Sequence, residues 1–421
     1  MTAIMQSIDG CDDGDMAFDI AYARILSLVT EKLPVEQVSL TDCVGRIAAA
    51  QVYAMSDLPR FDQAAMDGYA VNSVLLATGA RLPVTGRAAA GDVPTKLSNG
   101  TAHRILTGAG VPEGADAVIA QESVTRSGDV IRLDAIVAPG TNIRLRGEDI
   151  QSGQVLVQAG TMLDFRHIAV LAAQGIARVA VRRRPRVAII SSGLELRCTG
   201  DVLQPGQIYD SNAPMLAALL ASWGAELVLI PPVPDNAAAM RHALADAAFR
   251  SDLVLTTAGI SVGDEDHVRE ALLDLDGDLA VLKIAMKPGK PLAAGRLGSA
   301  LFVGLPGNPM AALTGAVVFI QPMLKRMLGV APLPPMRAMA AFDLHRNAGR
   351  TEFLPVQLNQ STHGPWAERA GPDGSGRLAP LLRASGFAVL NAEVHAVQRG
   401  TSLQIIPFTS HRAGIDGLCI F

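Results

Sequence analysis

Between residues 187 and 257 short β-branched runs alternate with longer helix-forming stretches, and no other feature constrains the fold as tightly. Strands are expected at 187–190, 226–230 and 253–257, with helices at 212–223 and 236–249 between them. Strands separated by helices imply βαβ units, hence a largely parallel sheet covered on both faces. Open sheets of this kind bind ligands outside the carboxyl ends of their strands.

At 421 residues the chain is too long for one core, and two linkers divide it. The first surrounds Pro185 and the second spans residues 330–335, which contain three prolines. Three regions result: a β-rich region 1–185 with an inserted subdomain at about 54–145, an α/β region 186–329 and a β-leaning tail 334–421. A helix is expected at 16–33, stopped by Pro34, and 144–150 reads as one of the short β-prone pieces that follow.

A net charge of −4 with scattered Lys and Arg argues against nucleic acid. The one dense basic run, Arg182, Arg183, Arg184 and Arg186, could serve a phosphate or a membrane, but reads most simply as a solvated interdomain linker. Cys11, Cys43, Cys198 and Cys419 form no ligand-spaced pair, so reduced thiols in a cytoplasm are expected. Acidic Asp12, Asp13 and Asp15 stand where a signal peptide needs positive charge. The apolar stretch 310–324 is broken by Thr314, Gln321 and Pro322; a buried core helix is expected there rather than a membrane span.

Three glycine-bearing loops follow strands of the α/β region. They carry Ser192, Gly193 and Glu195; Gly259, Ser261, Gly263 and Asp266; and Pro306, Gly307 and Asn308. Glycine lets backbone N–H groups approach an anion, and a helix N-terminus adds favourable partial charge. Each loop alone is an ordinary βα turn, whereas three in one region point to an anionic, nucleotide-like ligand. Lys283, Lys287 and Lys290 add point charges suited to an oxyanion, the last two in a stiff Pro-Gly turn. Carboxylates beside phosphates require a hard cation between them, which favours Mg2+. In the N-terminal half Asp67, Thr107 and Asp149 stand in turns that propensity does not explain, although each alone is an ordinary turn or exposed strand.

Seven ordered motifs resemble the molybdopterin molybdotransferase family over nearly the whole chain: FDQAAMDGYA at 61–70, ILTGAGVPEGADAV at 105–118, NIRLRGEDI at 142–150, SSGLEL at 191–196, GISVGDED at 259–266, MKPGKP at 286–291 and GLPGNP at 304–309. The resemblance implies a central three-layer α/β/α molybdopterin-binding domain, a split β-rich N-terminal region and a C-terminal β-barrel. It also implies a homodimer with its site between subunits, and insertion of molybdate into adenylylated molybdopterin with magnesium and release of AMP. Asp67, Thr107, Asp149, Glu195, Asp266, Lys283 and Lys287 fall on positions where the family places functional residues, and Asp235 is a weaker match. Asp67 and Asp149 from one subunit, with Glu195 and Asp266 from the other, would contact metal and substrate. Ser192, Gly193, Asp235, Gly259, Ser261, Gly263, Lys283, Lys287, Lys290, Pro306, Gly307 and Asn308 would bind substrate.

The chain departs from the family pattern at Leu194, where an Asp is usual, at Ala258 for Gly, at Pro355 for Arg, at Arg377 for an apolar residue and at Ser385 for Asn. The tail has drifted most, which leaves its part in the site open. A related α/β enzyme, molybdopterin adenylyltransferase, lacks the N-terminal motifs and is expected as a contact rather than as the identity of this chain. A noncatalytic pterin carrier would not need the carboxylates.

Overall fold

The expected alternation forms one six-stranded sheet. Glu226–Leu229, Arg186–Ser191, Leu253–Thr257 and Ala300–Leu305 run parallel in that order, and Pro291–Leu297 and Asp278–Lys283 complete the sheet antiparallel. Successive residues divide between two cores, as pleating requires. Val187, Ile189, Leu253, Leu255, Leu301 and Val303 face one; Ala188, Ile190, Val254 and Phe302 face the other. The first core is closed by Asn212–Ser222, by the helical run Pro309–Leu328 and by the N-terminal helix Phe18–Ser27; the second by Ala237–Arg250 and His267–Asp274. This is the three-layer α/β/α arrangement. The computed structural model describes residues 15–230, 233, 236–258, 267–331, 334–362 and 364–408.

Two local expectations are corrected, and a third, the buried core helix, is met. The first helix covers only Phe18–Ser27, because Met16 is drawn into a parallel bridge with Ile284 and its N–H bonds the carbonyl of Lys283. Within 144–150 only Arg144 is in a strand, Ile143–Arg144; beyond it the chain turns, with Gly147 at φ +73°. The run Pro309–Leu328 is long and apolar enough to cross a membrane by length and composition, but 78% of its apolar window is buried inside the fold.

The N-terminal region is split as its sequence texture suggests. Val35–Ser39 pairs with Arg178–Arg182 and Val52–Tyr53 with Val155–Val157, both antiparallel, so the two flanks of the region join. Between them a second six-stranded sheet is inserted, with Gly68–Val71 lying between Ala117–Ala120 and Ala102–Ile105. The basic run is only in part a solvated linker: Arg184 and Arg186 are exposed, whereas Arg182 and Arg183 are half-buried. Arg183 makes a forked pair with Asp252 at 2.7 and 3.0 Å, and Asp252 also accepts from the backbone of Arg186.

Met336–Ala340, Thr351–Ser361, Gly364–Arg369, Gly386–Leu390 and Ser402–Pro407 form the C-terminal barrel, which closes where Thr351–Ser361 meets Gly386–Leu390. Closure removes the exposed edges that a small sheet would otherwise present. Phe353 from the barrel packs at 5.3 Å from Phe18 and 6.4 Å from Phe387, in the same core as the α/β helices. Phe353→Ala is expected to cost about 3–5 kcal/mol. A urea titration would show a lowered midpoint; an unchanged midpoint would mean that the barrel is not anchored through this ring.

Candidate functional site

Ser191 and Thr257 end the two central parallel strands, and their buried hydroxyls lie 3.0 Å apart. The chain connects onward from these strands to opposite sides of the sheet, which makes this the switch point where an open α/β sheet binds its ligand. Ser192 and Gly193 leave the first strand here, and Pro306, Gly307 and Asn308 leave Ala300–Leu305 at the same edge. Lys283 ends a strand that also finishes on this edge, and Lys287 and Lys290 occupy the turn that follows. Glu195 is exposed, with its carboxylate over Gly193. Asp235, Gly259, Ser261, Gly263 and Asp266 lie outside the described residues.

Gly307 explains one departure in the sequence. A Cβ on Gly307 would stand 3.3 Å from the Cβ of Ala258, which itself sits at φ +73°. Left-handed backbone is costly for any residue with a Cβ, so glycine is the unstrained choice at 258. The loop is held in place by Asn212, whose Nδ2 donates to the Gly307 carbonyl at 2.6 Å, and by Asn308, whose Nδ2 donates to Ser375 Oγ at 3.1 Å.

A cavity of about 320 Å3 opens between this edge and the barrel. Lys287, Lys290, Pro306 and Asn308 line one side, and Arg350, Glu352 and Ser375 the other. The barrel therefore lines this cavity, although its sequence has drifted. The join is a backbone one: Met286–Lys287 adds to the barrel in parallel register, with Lys287 opposite Glu352. Lys287 Nζ bonds Glu352 Oε1 at 2.8 Å, and the buried Arg346 guanidinium approaches Glu352 Oε2 at 3.0 Å. The Arg346 Nε contact is an ion pair without good hydrogen-bond direction, since that N–H has no aligned acceptor among the described residues. Lys290 Nζ pairs with Asp15 at 2.9 Å. Two of the three lysines are thus fixed by carboxylates before any ligand arrives.

Sequence reasoning did not single out Arg350, Glu352 or Ser375. The pairing of Glu352 with a distant lysine depends on strand register and leaves no local signal. Pro355, standing where the family often has Arg, lines the same cavity and brings no charge to it. Leu194, in place of an acid, is exposed.

In the inserted sheet the three N-terminal motifs converge. Gln63–Ala64 pairs with Ile143–Arg144, the Ala64 N–H bonds the Ala109 carbonyl, and Asp62 accepts from the backbone of Arg146. Asp67 Oδ1 receives both the backbone N–H and the hydroxyl of Thr107, at 2.8 and 2.7 Å. The backbone bond first, and then the hydroxyl, hold the Asp67 carboxyl below its usual range. Gly68 fixes the approach: a Cβ there would lie 1.9 Å from the Ile119 carbonyl oxygen. Asp149 is exposed on the same assembly, its N–H bonded to the Leu58 carbonyl at 3.1 Å. Among the described residues no group of three His, Cys, Asp or Glu side chains is placed to hold a metal ion.

Two substitutions test these contacts. Glu352→Leu strands the Arg346 charge in a buried setting and is expected to cost about 3–5 kcal/mol, whereas Glu352→Gln costs less; denaturant midpoints of the two variants would separate them. Thr107→Val removes one of two donors to Asp67, so the Asp67 carboxyl moves up toward its ordinary value. The folded value is depressed, so its stabilisation is present above the unfolded pKa and fades as pH falls through the folded one. In the variant the folded and unfolded values lie closer together, so this contribution is smaller and its loss is complete at a higher pH. Carboxyl 13C titration reads the shift, and an unmoved midpoint would exclude the hydroxyl as a donor.

Comparison with known proteins covers all three regions. Residues 16–175 match the MoeA N-terminal region (domain I and II), 188–326 a probable molybdopterin binding domain, and 337–408 the MoeA C-terminal region (domain IV). The molybdopterin molybdenumtransferase of Haemophilus influenzae is 35% identical over 399 residues, covering 93% of this chain and 98% of that protein. Molybdopterin molybdenumtransferase 2 of Mycobacterium tuberculosis is 36% identical over 390 residues, covering 88% and 95%. The crystal structure of a molybdopterin biosynthesis MoeA protein from Pyrococcus horikoshii superposes with a TM-score of 0.83 at 32% identity, covering 94% of this chain and 100% of that one. With all three regions matched in order and nearly full mutual coverage, the chain belongs to the molybdopterin molybdenumtransferase family.

Proposed function

We propose that this enzyme inserts molybdate into adenylylated molybdopterin and releases AMP, with magnesium and with two copies of the chain forming each site. The observation that carries the reading is the cationic cavity between the sheet edge and the barrel. Lys287, Lys290 and Arg350 line it, and it adjoins the crevice at the switch point, so an oxyanion and a pterin nucleotide can be held side by side. The lysines act as point charges, kept in direction by Glu352 and Asp15. The Ser192–Gly193 and Pro306–Asn308 loops offer backbone around the nucleotide, and Gly193 lets the chain pass close to it.

Magnesium fits the donor chemistry. Asp67 is exposed and ionised, and Thr107 occupies one of its oxygens, which leaves Oδ2 for a cation. Mg2+ keeps much of its water shell and needs one or two carboxylates rather than a full protein cage. Asp67 and Asp149 from one copy, with Glu195 and Asp266 from the other, would hold it. Bound there it would offset the charge of the phosphoanhydride. Thr107 keeps Asp67 deprotonated and aimed, and the lysines orient the molybdate. Hydrolysis of the phosphoanhydride consumes one water and frees AMP, leaving the phosphate on the pterin; the two dithiolene sulfurs replace one molybdate oxygen, which leaves with the two thiol protons as water.

A carrier that binds the pterin without chemistry is the second reading, and the molybdopterin adenylyltransferase of the same pathway is a partner that could hand over the nucleotide. The test is to mix purified protein with adenylylated molybdopterin, Mg2+ and molybdate, following AMP and active cofactor. Binding without AMP release would favour the carrier. Asp67→Asn and Asp149→Asn are each expected to lower insertion at least tenfold, and full activity in both would sink the carboxylate assignment.

A further inference from the structure

At the amino edge of the α/β sheet, remote from the site above, lies a second cavity of about 240 Å3. It forms where the N-terminal region meets the α/β region. Arg46 comes from the N-terminal region, Arg182 and Arg184 from the connection into the sheet, and Lys325 from the helix that leads to the barrel. Trp223, Leu324 and Leu328 supply an apolar wall.

Four cations around one small cavity call for negative charge, and the chain supplies little. Arg46 bonds Glu36, the one carboxylate paired with any of the four among the described residues, and the Arg182 carbonyl. Arg182 spends a donor on the Leu33 carbonyl at 2.8 Å, and Arg184 reaches the Gly224 carbonyl only at 3.4 Å. Lys325 has a single long bond, 3.3 Å to Gln321 Oε1. Half-buried without a carboxylate, its ammonium is held below the ordinary lysine range by desolvation.

Gln321 supplies an independent sign. It lines the cavity and is only 5% exposed. An ammonium can only donate, so the amide atom facing Lys325 must be the oxygen. Nε2 is then the other atom, and it is a buried donor with no acceptor among the described residues. Buried donors are normally satisfied, and one beside a desolvated ammonium marks the position of a missing acceptor.

We propose that this cavity binds a small organic anion, its carboxylate or phosphate head accepting from Gln321 Nε2 and Lys325 Nζ and its apolar body lying beside Trp223, Leu324 and Leu328. Such a ligand would bridge the N-terminal and α/β regions at their junction. The proposal stands apart from the molybdate reaction and does not depend on it.

Trp223 is a built-in reporter. The chain has one other tryptophan, Trp366, which sits in the barrel against Arg399. In the full-length Trp366→Phe protein, benzoate and phenyl phosphate are titrated against Trp223 emission, with neutral benzamide as the shape control. Calorimetry on the natural sequence repeats the titration, so the result does not hinge on that variant folding. Saturable binding of at least one anion is expected, the stronger of the two identifying the head group. Lys325→Met and Gln321→Leu should each weaken it tenfold or more, and benzamide should bind at least tenfold more weakly. The proposal is overturned if neither anion binds the natural protein saturably, if benzamide binds as well, or if folded Lys325→Met and Gln321→Leu proteins both keep full affinity.

Discussion

The structure depends on one shared hydrophobic core in which aromatic rings from three distant parts of the sequence meet. Phe18 lies 5.9 Å from Phe319 and 5.3 Å from Phe353, and Phe387 lies 4.9 Å from Phe408. The first ring belongs to the opening helix, the second to the buried helical run of the α/β region, and the others to the barrel and its closing strand. Only 4% of the chain is aromatic, yet these rings gather at the seam. Aromatic side chains bury large areas and favour tilted or edge-on contacts, so they fix both distance and orientation between the units they join. Without that constraint Arg350 and Glu352 would have no defined position relative to Lys287.

Polar contacts refine what the core sets. The parallel pairing of Lys287 with Glu352 places an ammonium from the α/β region against a carboxylate of the barrel, and Arg346 balances the same carboxylate from behind. A buried ion pair of this kind gives little net stability, but removal of either partner is costly, so it selects one arrangement. The same logic governs the Arg183 and Asp252 fork at the opposite edge of the sheet, where it ties the entry of the first parallel strand to the start of the third. Both edges of the sheet are thereby pinned.

The α/β fold was legible because it is written in local periodicity: the three expected strands and two expected helices form within one or two residues of their expected bounds. The limits of the opening helix were not, because Met16 is taken by a tertiary bridge rather than by the helix. The arginine run illustrates the same boundary. Composition suggested solvent, whereas Asp252, far along the chain, draws Arg183 into the junction. At the candidate site, glycine-bearing loops and lysines were visible as residue types, and Asp67 with Thr107 as motif positions. Their hydrogen bond was not, since it depends on how Gly68–Val71 and Ala102–Ile105 pair. Glu352 was missed for the same reason: a carboxylate in a strand has no meaning until its neighbour in the register is known.

The placement of the carboxylates bears on the proposed two-copy site. Asp67 and Thr107 sit in the inserted sheet, and Asp149 stands where the chain returns from it. Glu195 follows the first strand of the central sheet. Within one chain the described carboxylates do not gather into a metal-binding group, although each is exposed and placed by defined backbone contacts. Residues so firmly positioned, yet dispersed, accord with the proposed site shared between two copies. The carboxyl edge carries the lysines and glycine-bearing loops and the turns beside the inserted sheet present the acids, so the proposed two-copy site would bring together parts that one fold keeps separate. In such a site separation would have a physical benefit: a cluster of uncompensated carboxylates in a single chain would repel itself in the absence of metal, whereas divided halves avoid that repulsion.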